Sequence, residues 1–380
     1  MVEHLFAKRL NHIEVSGIRK MFDLVQSMKG VIDLGLGQAH FPTPEPIREA
    51  AVRAIREGAD RYTVTQGIPE LRDRIREDLK RRTGADPGDP LVTSGAAGGL
   101  FLACAALVDA GDEVLVPEPY FALYKFLPQF CDGTPVFVDT APDFRLTPER
   151  IERAVTPRTK ILIFNNPVNP TGTAYTADEV KAVAAVARKR GFLVLADEVY
   201  DRYSHDFPHE PIARHLDRVV SVGAFSKAYA MMGWRVGYAT GPRPILEKMA
   251  TLQQFSFIHA PTVSQKAALA AFDVDLSPIL AAYRAKRDRV VAALDPAFGL
   301  VRPQGAFFAY PRVPWGTDQE FVEACIRNRV LVVPGRAFSR TRTHLRISYA
   351  AEDRDLDRGL AILNRLAREG PGKKEAASKE

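Results

Sequence analysis

Ser226-Lys227-Ala228-Tyr229-Ala230-Met231-Met232-Gly233-Trp234-Arg235-Val236-Gly237 decides how the rest of the chain is read. A lysine is followed eight positions later by an arginine set between Gly233-Trp234 and Val236-Gly237. A lone lysine is usually surface charge. Lys227 instead follows a β-rich run and lies among small or apolar residues, which points it inward. The neighbours Trp234, Val236 and Gly237 argue against a surface salt bridge for Arg235, and a guanidinium fork suits phosphate oxygens better than an ammonium does. Upstream, Asp197-Glu198-Val199-Tyr200 ends an apolar run at 192–197, and Asn169-Pro170-Thr171-Gly172 is a turn by composition.

With 380 residues, 46% hydrophobic and 26% charged, the chain has the make-up of a soluble globular protein with a sizeable core. Its length suits one large domain and a smaller one. No run of about 18 apolar residues suggests a membrane span. Charges scattered through the first fifteen residues leave no signal-peptide core, so a cytoplasmic location is expected. Cys104, Cys131 and Cys325 are odd in number and scattered, which favours reduced thiols. The eight histidines show no paired ligand spacing, so no metal is expected. The net charge of +6 is spread along the chain, and Lys80-Arg81-Arg82 and Arg188-Lys189-Arg190 read as solvated helix ends. No nucleic-acid or membrane partner is expected.

β-Rich runs at 91–94, 113–117, 135–139, 160–164, 192–196, 219–222 and 236–240 alternate with helix-like stretches such as 98–108, 148–155 and 177–190. That alternation predicts an α/β fold, a mostly parallel seven-stranded sheet covered by helices on both faces. Ligands then bind at the carboxyl ends of strands, where the motifs fall. Runs at 303–313, 329–335 and 344–350, with helices near 317–328 and 353–368, predict a smaller α+β domain. The expected division is an N-terminal segment 1–40 with an amphipathic patch at 18–28, a large domain 41–285, a small domain 286–369 and a disordered polar tail 370–380.

These residues carry what a pyridoxal-phosphate enzyme needs. Lys227 is an amine that can bond the aldehyde and later move a proton. Asp197 is a carboxylate that is costly to bury without a cation, and a pyridinium nitrogen is such a partner. The alternative, an aspartate capping a following helix, is as common. The hydroxyl of Tyr200 suits the ring oxygen, and the amide of Asn169 suits that oxygen or a substrate carboxylate oxygen. Ser94-Gly95-Ala96-Ala97-Gly98-Gly99 joins a strand to a helix, and its small residues admit a phosphate to the helix N-terminus or simply pack closely.

The chain resembles the class I/II aminotransferase family of fold-type I pyridoxal-phosphate enzymes, from about residue 10 to 365. Further motifs carry the likeness: Gly35-Leu36-Gly37-Gln38-Ala39-His40-Phe41-Pro42-Thr43-Pro44 resembles the family's glycine-rich N-terminal segment, and Tyr62-Thr63 with Gly67-Ile68-Pro69-Glu70-Leu71-Arg72 its tyrosine segment. The resemblance implies that Lys227 holds the aldehyde and shuttles the proton, that Asp197 pairs with the pyridine nitrogen, and that Tyr200 and Asn169 bond the ring oxygen. Arg235 and the backbone of Ala96 and Ala97 are implied at the phosphate, and Ser226 among the cofactor-binding residues. Phe121 matches an aromatic that stacks on the ring, with core packing as the alternative. Arg346 matches the clamp on the substrate α-carboxylate, and Gly37 a backbone contact to the same group. Tyr62 matches a tyrosine reaching the phosphate of a neighbouring subunit, which implies a homodimer with shared sites.

Some positions depart from the family pattern. Ala224 stands where Ser or Gly is usual, Met232 where Thr or Pro is, and Ala39-His40 replaces Pro-Asp. His40 is expected as a surface-loop histidine. Val15, Ser16, Gly17, Phe257 and His259 are candidates for a rather neutral side-chain pocket, and the stretch 251–261 lacks the arginine that binds a second carboxylate in one aspartate-specific branch. The expected reaction is therefore transfer of an amino group from a neutral or aromatic L-amino acid to a 2-oxo acid such as 2-oxoglutarate. A carbon–sulfur β-lyase shares the cofactor contacts and is the rival within the fold. A non-catalytic cofactor-binding sensor is the rival from another class, disfavoured because Lys227 and Arg346 are both present.

Overall fold

The computed structural model describes residues 5–13, 28 and 30–371. Val15, Ser16, Gly17, residues 18–27 of the amphipathic patch and the tail from 372 lie outside the described residues.

Strand β1 (Ile32–Asp33) belongs with the C-terminal strands. The next seven are β2 (Leu91–Thr93), β3 (Glu113–Glu118), β4 (Thr134–Asp139), β5 (Thr159–Asn165), β6 (Leu193–Asp197), β7 (Val219–Ala224) and β8 (Gly237–Thr240). They form one sheet in the order β2-β8-β7-β6-β5-β3-β4. β8 is antiparallel to both neighbours, and the pairs from β7 to β4 are parallel. This is the mostly parallel seven-stranded sheet that the alternating pattern predicts.

Burial on both faces explains the continuous apolar runs. Ile161 and Ile163 face one side, with Leu100, Leu102, Leu246 and Met249 of helices 95–107 and 243–256. Leu162 and Phe164 face the other, with Val180, Val183 and Ala187 of helix 177–190. That helix begins at a capping box in which Thr176 and Glu179 satisfy each other's backbone, and ends at left-handed Gly191. The helix predicted from 98 starts earlier, at Gly95, so Gly95 and Gly98 lie within the first turn and Gly99 directly after it.

In the C-terminal quarter, β9 (Phe308–Ala309), β10 (Val330–Leu331), β11 (Val333–Pro334) and β12 (Leu345–Ser348) follow. β11, β12 and β9 form an antiparallel sheet, and β10 pairs in parallel with β1. Helix 353–369 places Leu356, Leu360 and Leu363 in the same core cluster as Ile32, Leu34 and Val330. Helix 277–293 runs across residue 285. Among the described residues no helix is long and apolar enough to cross a membrane.

Candidate active site

Asn165 and Asp197 end the neighbouring strands β5 and β6 and are cross-strand partners. The Asn165 Nδ2 donates to the Asp197 carbonyl at 2.9 Å, and its Oδ1 accepts from the backbone N–H of Asn169 at 2.8 Å. The turn at 169–172 is thereby fixed beside Asp197. The carboxylate of Asp197 is only 4% exposed. It accepts the Tyr124 hydroxyl at 2.7 Å and the Val199 N–H at 3.2 Å. The Val199 contact is a local turn bond and not the helix cap offered as the alternative, since the following short helix is capped at Tyr200 without a side-chain bond, and the Tyr124 contact lies outside that turn. Among the described residues no cation pairs with this carboxylate. Burial pushes it up to about 6, while the bonds from Tyr124 and Val199 pull it back.

Opposite lies a buried cation in the same condition. Arg346 is 1% exposed, with its guanidinium between the rings of Phe308 and Phe338, 4.4 and 4.6 Å from their centroids. Its Nη1 donates to Asn169 Oδ1 at 2.9 Å and its Nη2 to Gly35 O at 2.7 Å. Nε is buried without a partner, and no carboxylate among the described residues pairs with the group. Burial pulls it down to about 10. Between these two charges, Lys227 Nζ donates to Gly37 O at 2.7 Å. Burial pulls the amine down to about 8, Arg346 adds to that, and Asp197 opposes it.

The phosphate side is built by close backbone approach. Gly95 opens helix 95–107 at φ +68, and a Cβ there would lie 2.5 Å from Arg235 Nη2. A Cβ on Gly237 would meet the Gly95 carbonyl carbon at 2.8 Å and the Ala96 nitrogen at 2.9 Å. The helix has no side-chain cap and no acidic residue in its first turn, so its leading N–H groups stay available. Arg235, itself left-handed at φ +53, donates to Met232 O at 2.9 Å and Ser94 O at 3.3 Å. It is exposed at the rim of the cavity, and among the described residues it makes no salt bridge.

One cavity of about 570 Å³ is lined by Lys227, Asp197, Tyr200, Asn169, Ser226, Arg235, Arg346, Gly37, Ala96, Ala97 and Phe121, together with Ala224 and Met232. The Tyr200 ring stands 5.8 Å from Lys227 Nζ, and its hydroxyl has no partner among the described residues. Phe121 meets Tyr124 edge-on while also packing on the core. Tyr62 is not among the cavity residues. It is 81% exposed and touches His259 edge-on at 5.6 Å.

Three expectations are corrected. His40 is half-buried rather than a surface-loop histidine, because its Nδ1 lies 3.0 Å from the hydroxyl of Tyr283 and its ring packs on that side chain. Phe257 and His259 do not line the cavity. Phe257 sits where a Cβ on Gly98 would touch it at 3.3 Å, and His259 Nδ1 lies 2.6 Å from Ala260 O. Sequence reading missed Tyr124, Asn165 and Phe308. Tyr124 had no signal beyond its place three residues after Phe121.

The donor set fits pyridoxal phosphate. An uncompensated buried carboxylate suits a pyridinium, an amine of lowered pKa suits an aldehyde, an open helix N-terminus beside a guanidinium suits a phosphate, and a free phenol suits the ring oxygen. The uncompensated buried guanidinium suits a carboxylate.

Known proteins agree. The family model described as aminotransferase class I and II matches residues 29–363. A probable aspartate aminotransferase of Methanocaldococcus jannaschii is 35% identical over 95% of this chain and 100% of its own length. Aromatic-amino-acid aminotransferase 2 of Thermococcus litoralis is 34% identical over 95% of this chain and 98% of its own. The solved structure of aspartate aminotransferase from Thermus thermophilus with maleate superposes with a TM-score of 0.90 at 34% identity, covering 95% of this chain and 99% of that one. The chain belongs to the class I and II aminotransferases and is a pyridoxal-phosphate-dependent enzyme of fold type I.

Proposed function

We propose that this aminotransferase takes its amino group from a neutral or aromatic L-amino acid and gives it to a 2-oxo acid such as 2-oxoglutarate, by ping-pong kinetics. One observation carries the donor preference. The cavity residues include three cations, Lys227, Arg235 and Arg346, and each has a use: amine, phosphate and α-carboxylate. Among the described residues, the remaining lining, with Leu36, Gln38 and Leu123, offers no fourth cation to a side-chain carboxylate. A carboxylate desolvated there without a partner is strongly penalised. The named relatives span aspartate and aromatic amino acids, so the choice rests on this lining.

Bound in the cavity, pyridoxal phosphate supplies an aldehyde and an electron-withdrawing ring that loosens a Cα proton. Asp197 holds the ring nitrogen protonated, and Tyr124 and Val199 keep that carboxylate charged. Arg346 and Asn169 grip the α-carboxylate and set the Cα–H bond toward Lys227. Lys227 Nζ would take that proton from Cα and deliver it to the cofactor carbon that carried the aldehyde, a role its lowered pKa favours. Tyr200 and Asn169 donate to the ring oxygen. Arg235 and the backbone of Ala96 and Ala97 would hold the phosphate, with Ser226 also lining the cofactor's cavity, while Phe121 would cover the ring and Gly37 would close the carboxylate side.

Tyr62 reaches the phosphate of a second copy of the chain, making a homodimer with shared sites. The exposed apolar side chains of Tyr62, Val64 and Phe255 support that face. The division into a large domain at 41–285 and a small one at 286–369, with residues 1–40 packed on the latter, is part of the same proposal.

Steady-state rates across a donor panel with 2-oxoglutarate test the preference. Phenylalanine, tyrosine or leucine should exceed aspartate by about tenfold or more in kcat/KM. Aspartate as the best donor would contradict it.

A further inference from the structure

Tyr62 is exposed, yet the loop that carries it is tied from inside by two glutamines. Gln253, on helix 243–256, and Gln265, on helix 262–269, are both 0% exposed. Burying a primary amide that completely is costly without hydrogen bonds, which Gln265 makes at both amide atoms and Gln253 at its nitrogen only. Gln265 Oε1 accepts the Ile68 N–H at 2.8 Å, while its Nε2 donates to Thr63 Oγ1 at 3.2 Å and Ala260 O at 2.6 Å. Gln253 Nε2 donates to Thr65 O at 2.6 Å and Val92 O at 2.9 Å. Thr262 Oγ1 adds a bond to Arg61 O at 2.8 Å. Residues 61, 63, 65 and 68 are thus each tied to one of two helices. Gly67 sits among these bonds at φ +96, where a Cβ would overlap Val92 and come within 3.0 Å of Gln265 Oε1.

A loop of irregular backbone does not need two buried amides merely to cross a surface. Fixing it removes the ordering cost that a flexible tyrosine would meet on contact. We infer that Gln265 and Gln253 are positioning residues for Tyr62, holding its phenol in the place where the phosphate of the second subunit's cofactor meets it. The inference rests on the proposed role of Tyr62.

The test compares holoenzymes: wild type, Gln265→Leu, Tyr62→Phe and the double variant. Two quantities are read, the cofactor dissociation constant by fluorescence titration and hydrogen exchange across residues 62–68. Gln265→Leu should speed exchange in that segment and weaken cofactor binding roughly three- to tenfold. Tyr62→Phe should weaken binding by a similar factor and leave exchange unchanged. The double variant should bind no worse than Tyr62→Phe alone. An equal further loss in the double variant would overturn the inference, since the glutamine would then act other than through Tyr62. Unchanged cofactor affinity in Tyr62→Phe would overturn the phosphate role itself. Unchanged exchange in Gln265→Leu would overturn the loop-holding while leaving that role standing. Should Gln265→Leu not fold, Thr262→Val removes only the bond to Arg61 and should move both readouts in the same direction.

Discussion

Tyr124 reaches from the start of helix 122–130 to the end of β6, where its hydroxyl donates to Asp197 at 2.7 Å. That bond favours the charged carboxylate against the burial that opposes it. Tyr124→Phe should therefore raise the Asp197 pKa further above about 6. Cofactor association with the empty protein, followed against pH, should strengthen as Asp197 ionises. The midpoint of that rise should lie at higher pH in the variant. An unshifted midpoint would mean that Tyr124 does not act on this carboxylate.

Asp197→Asn should separate stability from function. The folded carboxyl holds its proton up to about 6, against 3.8 ordinarily, so the folded state binds the proton more tightly than the unfolded one. Stability of the cofactor-free protein is then lost as pH rises from about 4 to about 6, and the loss is complete above that. The neutral amide escapes it, so the empty variant should be more stable at pH 7.5 by on the order of 2–3 kcal/mol. The gain should shrink toward pH 5. Turnover should fall by about a hundredfold or more, because nothing then holds the ring nitrogen protonated. Thermal melts at the two pH values and a rate assay check both halves.

Lys227 titrates near 8, so on the order of a tenth of it is neutral at pH 7, far more than for an ordinary lysine. Covalent capture of the aldehyde needs that neutral form. The capture rate should rise with pH and level off above about 8. Lys227→Ala should abolish turnover, and near-normal turnover would remove the assignment.

Arg346→Lys should lower kcat/KM for every amino donor by about a hundredfold, through loss of the two-pronged grip and of the packing between Phe308 and Phe338. Cofactor affinity should change little. A loss confined to cofactor binding would contradict the carboxylate role.

Gly95→Ala puts a Cβ 2.5 Å from Arg235 Nη2 at a left-handed backbone position. Arg235 must move off the helix end, and the cofactor dissociation constant should rise about tenfold. Free phosphate should compete less effectively in the variant.

Much of this arrangement was legible because strand ends and motifs coincide. Asp197, Asn169 and Lys227 each follow a recognisable apolar or β-rich run, Arg235 directly precedes one, and a doubly covered parallel sheet sends such positions to one edge. What escaped depends on packing between distant segments. Tyr124 matters only because its helix lies over β6. The burial of His40 comes from Tyr283, 243 residues away. Gln253 and Gln265 look like ordinary helix-surface glutamines until the loop at 61–68 closes on them. Phe257 and His259 were misplaced because closeness in sequence to a pocket segment says nothing about which face of a helix end a side chain takes.

Single-turnover spectra of the purified holoenzyme, mixed with a panel of amino acids and no acceptor, test the central claim most directly. Transamination predicts conversion of the aldehyde form of the cofactor to its amine form, with one equivalent of 2-oxo acid released and a neutral or aromatic donor fastest. Persistence of the aldehyde form with every donor, while pyruvate and ammonia accumulate from cystathionine, would contradict it and mark the enzyme as a β-lyase.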